Sequence, residues 1–412
     1  MNAWPTVALR DCCEIYSGAT PRTSVAEFWD GEICWATPKD LSSLEGPFIS
    51  DTARKVTQAG IDGCGASVLP VGAVLLTTRA PIGYVAMNAV PMATNQGFKS
   101  FVPAPERLLA GYLFHWLRAN REYLQRIGNG ATFKELSQAA VARIEVPLPD
   151  LEEQQLIVDV LDRASLVLRG RRQARAMIDD LAHAIFLDMI GDPISNPKGW
   201  NLTALGDVVA TTSGGTPNRA VNDYFGGEVP WVKSGELHQD VITATEESLT
   251  QQGLAASSAK VMPAGTVLVA MYGATAGAVS ILGIEAATNQ AICCMSPSEK
   301  IDSKFLSQLV KQLAPSLLGQ RVGGAQPNLS QNLIRKLKIP LPPKPVQLDF
   351  VQRAGAVERL GATCASSLAA TEALFASLQE RAFRGELLPE DARIVRLKAR
   401  PPQVASADGH AR

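Results

Sequence analysis

The sequence predicts an α+β protein: two copies of a mixed α/β domain, joined by a long antiparallel (coiled-coil) pair of helices into a pseudo-twofold dumbbell. Three observations carry this expectation. The chain repeats itself about 196 residues apart, far beyond the period of a solenoid unit. Each copy closes on a proline-rich strand. Each is then followed by roughly forty residues in which apolar positions recur at alternating steps of 4 and 3, the spacing of a helical seam.

The repeat is read in order. Trp4 and Leu9-Arg10-Asp11 are answered by Trp200 and Leu205-Gly206-Asp207. Ser17-Gly18-Ala19-Thr20-Pro21 is answered by Ser213-Gly214-Gly215-Thr216-Pro217, and Glu32-Ile33-Cys34-Trp35 by Glu228-Val229-Pro230-Trp231. Ala93-Thr94-Asn95-Gln96 returns as Ala287-Thr288-Asn289-Gln290, and Val146-Pro147-Leu148-Pro149 as Ile339-Pro340-Leu341-Pro342. Within each copy, short β-type runs follow turn signals: Val74-Leu75-Leu76 after Pro70-Val71-Gly72, and Val267-Leu268-Val269 after Pro263-Ala264-Gly265. Helical patterns cover Leu108 to Ile127 and Ser303 to Leu313. The prolines of the closing strands mark boundaries, because proline continues neither a ladder nor a helix interior.

From Glu152 to Met189 there is no proline and one glycine. Val160, Ala164, Val167, Ala174, Ile178, Leu181 and Ile185 fall on the seam, with Arg171 in the remaining core slot. From Val346 to Phe383 the seam is Phe350, Ala354, Val357, Gly361, Cys364, Leu368, Thr371, Phe375 and Leu378. Such helices are rods of about 55–60 Å. Arg171, Gly361 and Thr371 either set register or mark where a partner binds. The end of the second helix is expected near the start of the chain. The expected segments are residues 1–150, a spacer helix at 151–190, residues 191–343, a second spacer helix at 344–388, and a disordered tail at 389–412.

At 412 residues the chain exceeds one core, and 46% hydrophobic with 19% charged residues indicates a folded chain rather than a disordered one. The net charge of -1 provides none of the basic surplus usual for a nucleic-acid binder. A basic face must therefore be made by folding. Seven cysteines include the adjacent pairs Cys12-Cys13 and Cys293-Cys294 and no C-x-x-C, which reads as free or buried thiols in a reducing cytoplasm. His115, His183, His238 and His410 are scattered and suggest no metal cluster. The uncharged run from Val261 to Ile284 is 24 residues long, enough to span a bilayer. Its Pro263, four glycines and Val267-Leu268-Val269 core read instead as strand–turn–strand. No phosphate loop, nucleophile elbow, HExxH or dinucleotide fingerprint occurs. The chain is expected to bind rather than catalyse.

The doubled order of Gly-x-Thr-Pro, tryptophan strand, Thr-Asn-Gln, Pro-Leu-Pro, and then Glu153-Gln154-Gln155 opening a long helix resembles the specificity subunit of a type I restriction–modification enzyme. The resemblance covers about residues 4–388, with Ala131-Thr132-Phe133-Lys134-Glu135-Leu136-Ser137 and Phe383-Arg384-Gly385-Glu386-Leu387 also similar to segments of that family. It implies two target-recognition domains, each reading one half of an asymmetric bipartite DNA site, with the helices setting the gap. It implies two methyltransferase subunits on this chain and motor–nuclease subunits beyond them. S-adenosylmethionine and ATP-Mg then belong to those partners, and this chain holds no cofactor. Two departures stand out: Lys344-Pro345-Val346-Gln347 replaces the acidic-Gln helix start, and Pro327-Asn328 replaces Phe133-Lys134-Glu135. A duplicated protein-binding scaffold without nucleic acid is the alternative.

Phosphate and base contacts need Lys, Arg, Asn, Gln or Tyr on loops. The candidates are Arg22, Lys39, Arg79 and Lys134 in the first copy, and Asn218, Arg219, Lys233, Tyr272 and Asn328 in the second. Arg79 and Tyr272 occupy equivalent places after the β-type run. Because Thr-Asn-Gln recurs where targets should differ, it reads as scaffold; Trp35 and Trp231 read as core, and Thr20-Pro21 and Thr216-Pro217 as turns.

Overall fold

The computed structural model describes residues 4–79, 81–128, 135–319 and 329–387. The chain divides into two units: residues 1–174 with 364–412, and residues 175–363. Each contains one head and a stretch of both long helices.

The first head holds a five-stranded sheet in the order Cys13–Ser17, Phe98–Pro103, Val74–Thr77, Val85–Asn88, Phe48–Ile49. A three-stranded sheet, Lys55–Val56, Trp29–Ala36, Met92–Thr94, packs beside it, and Thr6–Ala8 pairs with Glu145–Pro147. The second head repeats this topology: Thr211–Ser213, Ile292–Met295, Val267–Ala270, Val279–Leu282, Val241–Ile242, with Glu247–Leu249, Phe225–Val232, Ala287–Thr288, and Leu202–Ala204 against Lys338–Pro340. Val74, Leu75 and Leu76 are all fully buried, as are Val267 and Leu268. The central strand is covered on both faces, which is why its sequence is a continuous apolar run and not an alternation. The uncharged Val261–Ile284 run is the predicted strand–turn–strand, its ladder pairing Val267 with Ile281 and Val269 with Val279. Among the described residues no helix is long and apolar enough to cross a membrane.

The four longest helices among the described residues are α1 (Ala110–Ala119), α2 (Leu151–Met189), α3 (Ser303–Gly319) and α4 (Lys344–Arg384). In the first unit, Ile157, Val160, Leu161 and Ala164 of α2 share a core with Leu378 and Ala382 of α4 and with Tyr112 and Leu113 of α1. In the second unit, Phe186 of α2, Phe305 of α3 and Phe350 of α4 form an aromatic cluster with ring centroids 5.4–6.2 Å apart. Within each unit α2 and α4 run antiparallel: Arg172 bonds Glu372 at 2.8 Å in the first, and Arg175 donates to the Gly361 carbonyl at 2.7 Å in the second.

The α4 seam follows the predicted spacing, with Phe350, Val357, Gly361, Cys364, Thr371 and Leu378 all buried. The two odd members are both hydrogen-bonded. The Gly361 carbonyl takes the Arg175 bond, and the Thr371 hydroxyl bonds the Ser367 carbonyl inside its own helix. The α2 seam needs correction. Val160 and Ala164 are buried, but Arg171 and Leu181 are exposed. The stripe that α2 buries faces its head as well as α4, so it is wider than a two-helix seam and does not keep a strict seven-residue repeat. As expected, α4 returns to the start of the chain: Gly385, with a left-handed φ of 72°, lies under the Trp4 ring. The predicted tail lies outside the described residues beyond Leu387.

One glutamine locks each head to its helix. Gln154, fully buried, donates to the Arg107 and Pro149 carbonyls at 2.9 and 3.0 Å and accepts from Leu109 N at 2.8 Å. Gln347 makes the same three bonds, to the Lys300 and Pro342 carbonyls and from Asp302 N, at 3.2, 2.9 and 2.9 Å. The departure at Lys344-Pro345-Val346 therefore keeps the one residue that bonds the head. Gln154→Leu or Gln347→Leu keeps the volume but leaves three backbone groups unpaired. A cost of about 3 kcal/mol is expected, with a fall in Tm of roughly 6–12 °C by calorimetry.

Candidate nucleic-acid interface

The doubled motifs meet at one place in each head. Gly18 packs so tightly on the Thr94-Asn95 backbone that a Cβ would collide with the carbonyls of both, and Gly214 packs the same way on Thr288-Asn289. Ala19 N donates to Thr94 O at 3.0 Å and Gly215 N to Thr288 O at 2.9 Å. The hydroxyls of Thr20 and Thr216 bond the side chains of Gln96 and Gln290. Trp35 Nε1 then donates to Ala19 O at 3.0 Å, and Trp231 Nε1 to Gly215 O at 3.1 Å. Gly-x-Thr-Pro, the tryptophan and Thr-Asn-Gln thus form a single hydrogen-bonded frame, with the tryptophans, Thr94 and Thr288 buried and Gln96 and Gln290 at the surface. The frame ties the loops of each head together.

The candidate contact residues lie on or beside those loops in different states. Arg22 and Lys39 are exposed; the Arg22 carbonyl accepts from Trp29 Nε1 at 3.2 Å. Lys39 sits in a one-turn helix, Pro38–Ser42, fixed by Asp40, whose carboxylate accepts from Thr37 N and Ala53 N at 2.8 and 3.0 Å. Asn218 closes a turn by accepting from Ala220 N at 3.1 Å. Arg219 pairs with Glu247 at 2.6 Å and lies over the Phe225 and Trp231 rings, 4.7 and 5.0 Å from their centroids. Lys233 bonds Glu246 and Glu247 at 2.8 and 3.0 Å. Glu246 and then Glu247 raise its pKa, while the Arg219 guanidinium is the main cause holding Glu247 low. Lys134 and Asn328 lie outside the described residues.

Arg79 and Tyr272 occupy matching positions, each two residues past the central strand. The next segment is pinned beside both: Leu136 N donates to Thr78 O at 3.0 Å, and Leu329 N to Met271 O at 2.6 Å. The serine hydroxyls of the two frames also match, Ser17 bonding Gln138 at 3.0 Å and Ser213 bonding Gln331 at 2.9 Å. The side chains around this shared backbone differ. In the first head the backbone of Arg79 pairs with that of Glu135 in a β-bridge, and Lys99 stands in register with Ser17 and Leu76. Burial lowers the Lys99 pKa, against the pull of Glu135 and with the push of Arg79. In the second head Cys293 takes the Lys99 place, in register with Ser213 and Val269, its thiol pushed up to about 12 chiefly by burial. One head has two cations and a carboxylate here, where the other has a phenol and, in the place of Lys99, a thiol closed into the core.

The family model for the type I restriction modification DNA specificity domain matches residues 1–171 and again 197–354, one match for each copy of the repeat. The chain belongs to this specificity family. The specificity subunit of the MjaIX type I restriction enzyme of Methanocaldococcus jannaschii is 29% identical over 369 residues, covering 84% of this chain and 85% of that one. Two solved structures share the fold. One, from work on complex assembly and conformational transition of the type I R-M system, has a TM-score of 0.63 at 20% identity and covers 94% of this chain and 99% of that chain. The other, the S subunit of a type I restriction-modification system from M. genitalium, has a TM-score of 0.56 at 12% identity and covers 92% and 96%.

As a specificity chain it holds three features that residue-type reasoning did not find. Arg54 lies 3.5 Å over the Trp29 ring, as Arg219 lies over Trp231, but from an unrelated position in the sequence. Lys99 sits inside a strand that otherwise reads as core. Gln154 and Gln347 are buried polar anchors, visible in advance only as the glutamine shared by two dissimilar helix starts.

Proposed function

We propose that this chain is the non-catalytic subunit that gives a type I restriction–modification complex its DNA sequence specificity. Its heads, residues 1–150 and 191–343, each read one half of an asymmetric bipartite site, and α2 and α4 set the gap. The reading is carried by one observation: an identical hydrogen-bonded frame carries different side chains at the same loop, Arg79 with the strand residue Lys99 beside it against Tyr272. Arginine and lysine suit the acceptor pair of guanine, while an aromatic ring suits apolar contact. Arg22, Lys39 and Lys134 in the first head, and Asn218, Arg219, Lys233 and Asn328 in the second, are the remaining contact candidates, with Arg219 and Lys233 needing to leave Glu246 and Glu247 to engage DNA. Two methyltransferase subunits dock on the long helices, where Met177, Leu348 and Leu360 are exposed. S-adenosylmethionine and ATP-Mg are assigned to those subunits and to motor–nuclease subunits, and the complex to the cytoplasm.

Mapping methylated adenines across the host genome, with and without this gene, tests the reading. A two-part asymmetric motif that vanishes on deletion is expected; an unchanged methylation pattern overturns it. In the same assay Arg79→Tyr is expected to relax one base of one half-site, at a cost of about 1–3 kcal/mol for that base, and to leave the other half-site unaltered.

A further inference from the structure

The heads need more than base-reading loops if they are to hold a polyanion. The chain's net charge is -1, so any phosphate-binding area must gather cations away from carboxylates. The first unit has such a gathering away from the frame.

Helix α1 lies along the first half of α2. His115 Nε2 and Asp162 Oδ1 are 2.8 Å apart, and a Cβ on Gly111 would touch Val158. The line of contact that pairs Gly111 with Val158 and His115 with Asp162 brings Arg118, one turn further on, to the level of Arg169 and Arg172 of α2. The Arg118 guanidinium lies 5.3 Å from the Phe114 ring centroid. Partial desolvation, and then the charges of Arg169 and Arg172, hold its pKa below the usual arginine range, while its side chain stays exposed. Glu372 is committed to Arg172 at 2.8 Å and Asp162 to His115. Among the described residues, neither Arg118 nor Arg169 pairs with a carboxylate. Three like charges with one paired counter-ion raise the energy of the folded chain, which an external anion would relieve.

The corresponding place in the second unit is neutralised. Lys311, in the position of Arg118, pairs with Asp240 at 2.5 Å, Lys304 pairs with Glu358 at 3.5 Å, and Ala362 stands where Arg169 does. Two copies of one partner subunit would require matching surfaces at the two places. A nucleic-acid backbone makes no such demand, and the guanidinium fork matches phosphate in a bidentate way.

We propose that Arg118, Arg169 and Arg172 form a phosphate-binding site for duplex DNA, separate from the base-reading loops and indifferent to sequence. The proposal rests on the DNA-specificity reading above. It is tested with the full chain assembled with its methyltransferase subunits, on a duplex carrying the mapped site and on a scrambled duplex of equal length. The double variant Arg118→Gln with Arg169→Gln is expected to reduce the slope of log affinity against log salt by about 2 on both duplexes, from about 0.9 per phosphate contact, with base preference unchanged. Glu372→Gln, which frees Arg172, is expected to tighten binding to both. An unchanged slope in the double variant overturns the proposal. So does loss of the methyltransferase subunits from that variant, which would make the patch a protein interface. If the unaltered complex does not distinguish the two duplexes, the specificity reading itself fails, whatever the slopes.

Discussion

Gly214→Ala is expected to unfold the second head and abolish methylation at every bipartite site, while the first head remains folded. The added Cβ would fall far inside van der Waals contact with the Thr288 and Asn289 carbonyls and the Thr288 hydroxyl. Two of these three atoms are backbone, in a segment already committed to the frame, so no side-chain rotation relieves the clash. Opening the frame would also break the bonds from Gly215 N to Thr288 O and from Trp231 Nε1 to Gly215 O. Trp231 is among the largest fully buried side chains, and a cost beyond about 4 kcal/mol is expected. Gly226→Ala is the control. That residue has φ of 78° but open space around its Cβ position, so only left-handed backbone strain of about 1–2 kcal/mol applies. Limited proteolysis and a thermal melt of the two variants give the comparison. Equal Tm values would show that the frame does not hold the head.

The same frame explains what was legible in the sequence. Motifs that bond one another must reappear together, so Gly-x-Thr-Pro, the tryptophan and Thr-Asn-Gln repeat in order and betray the duplication. The α4 seam was legible because its buried positions keep the 4 and 3 spacing. The α2 seam was not, because Arg171 and Leu181, which that spacing places inside, turn out to solvent. The candidate contacts were the least legible part. Arg219 and Lys233 read as unpaired loop cations, yet Glu246 and Glu247, which reach them from a neighbouring strand and its approach, carry no local signature. Arg54 and Arg219 reach equivalent tryptophan clusters from different sequence positions, so no alignment of the two copies reveals them as counterparts. What the sequence did locate was the position where the heads diverge, Arg79 against Tyr272, because a conserved backbone with changed side chains is visible as a break in an otherwise faithful repeat.

Inserting seven residues after Ala174 and seven after Thr363 is expected to change the recognised site without changing either half of it. Both points lie at the division between the two units, so each head keeps its own contacts with α2 and α4. Seven residues of helix add about 10 Å, and a full heptad returns facing rows to register. At 3.4 Å per base pair the gap should grow by about three base pairs. Three base pairs also rotate the groove by roughly 100°, since a turn takes about 10.5 pairs. DNA or helices must absorb that twist, so the new site should bind more weakly than the native one. A two-residue insertion at the same points is the opposing case. It turns each helix by about 200° at the insertion point, so the facing rows of α2 and α4 no longer continue in register through it, and methylation should be lost rather than respaced. Methylome sequencing of hosts carrying each variant reads both outcomes. If the heptad variant methylates the original site with its original gap, the helices do not set the spacing, and the heads must be positioned on DNA by the partner subunits instead.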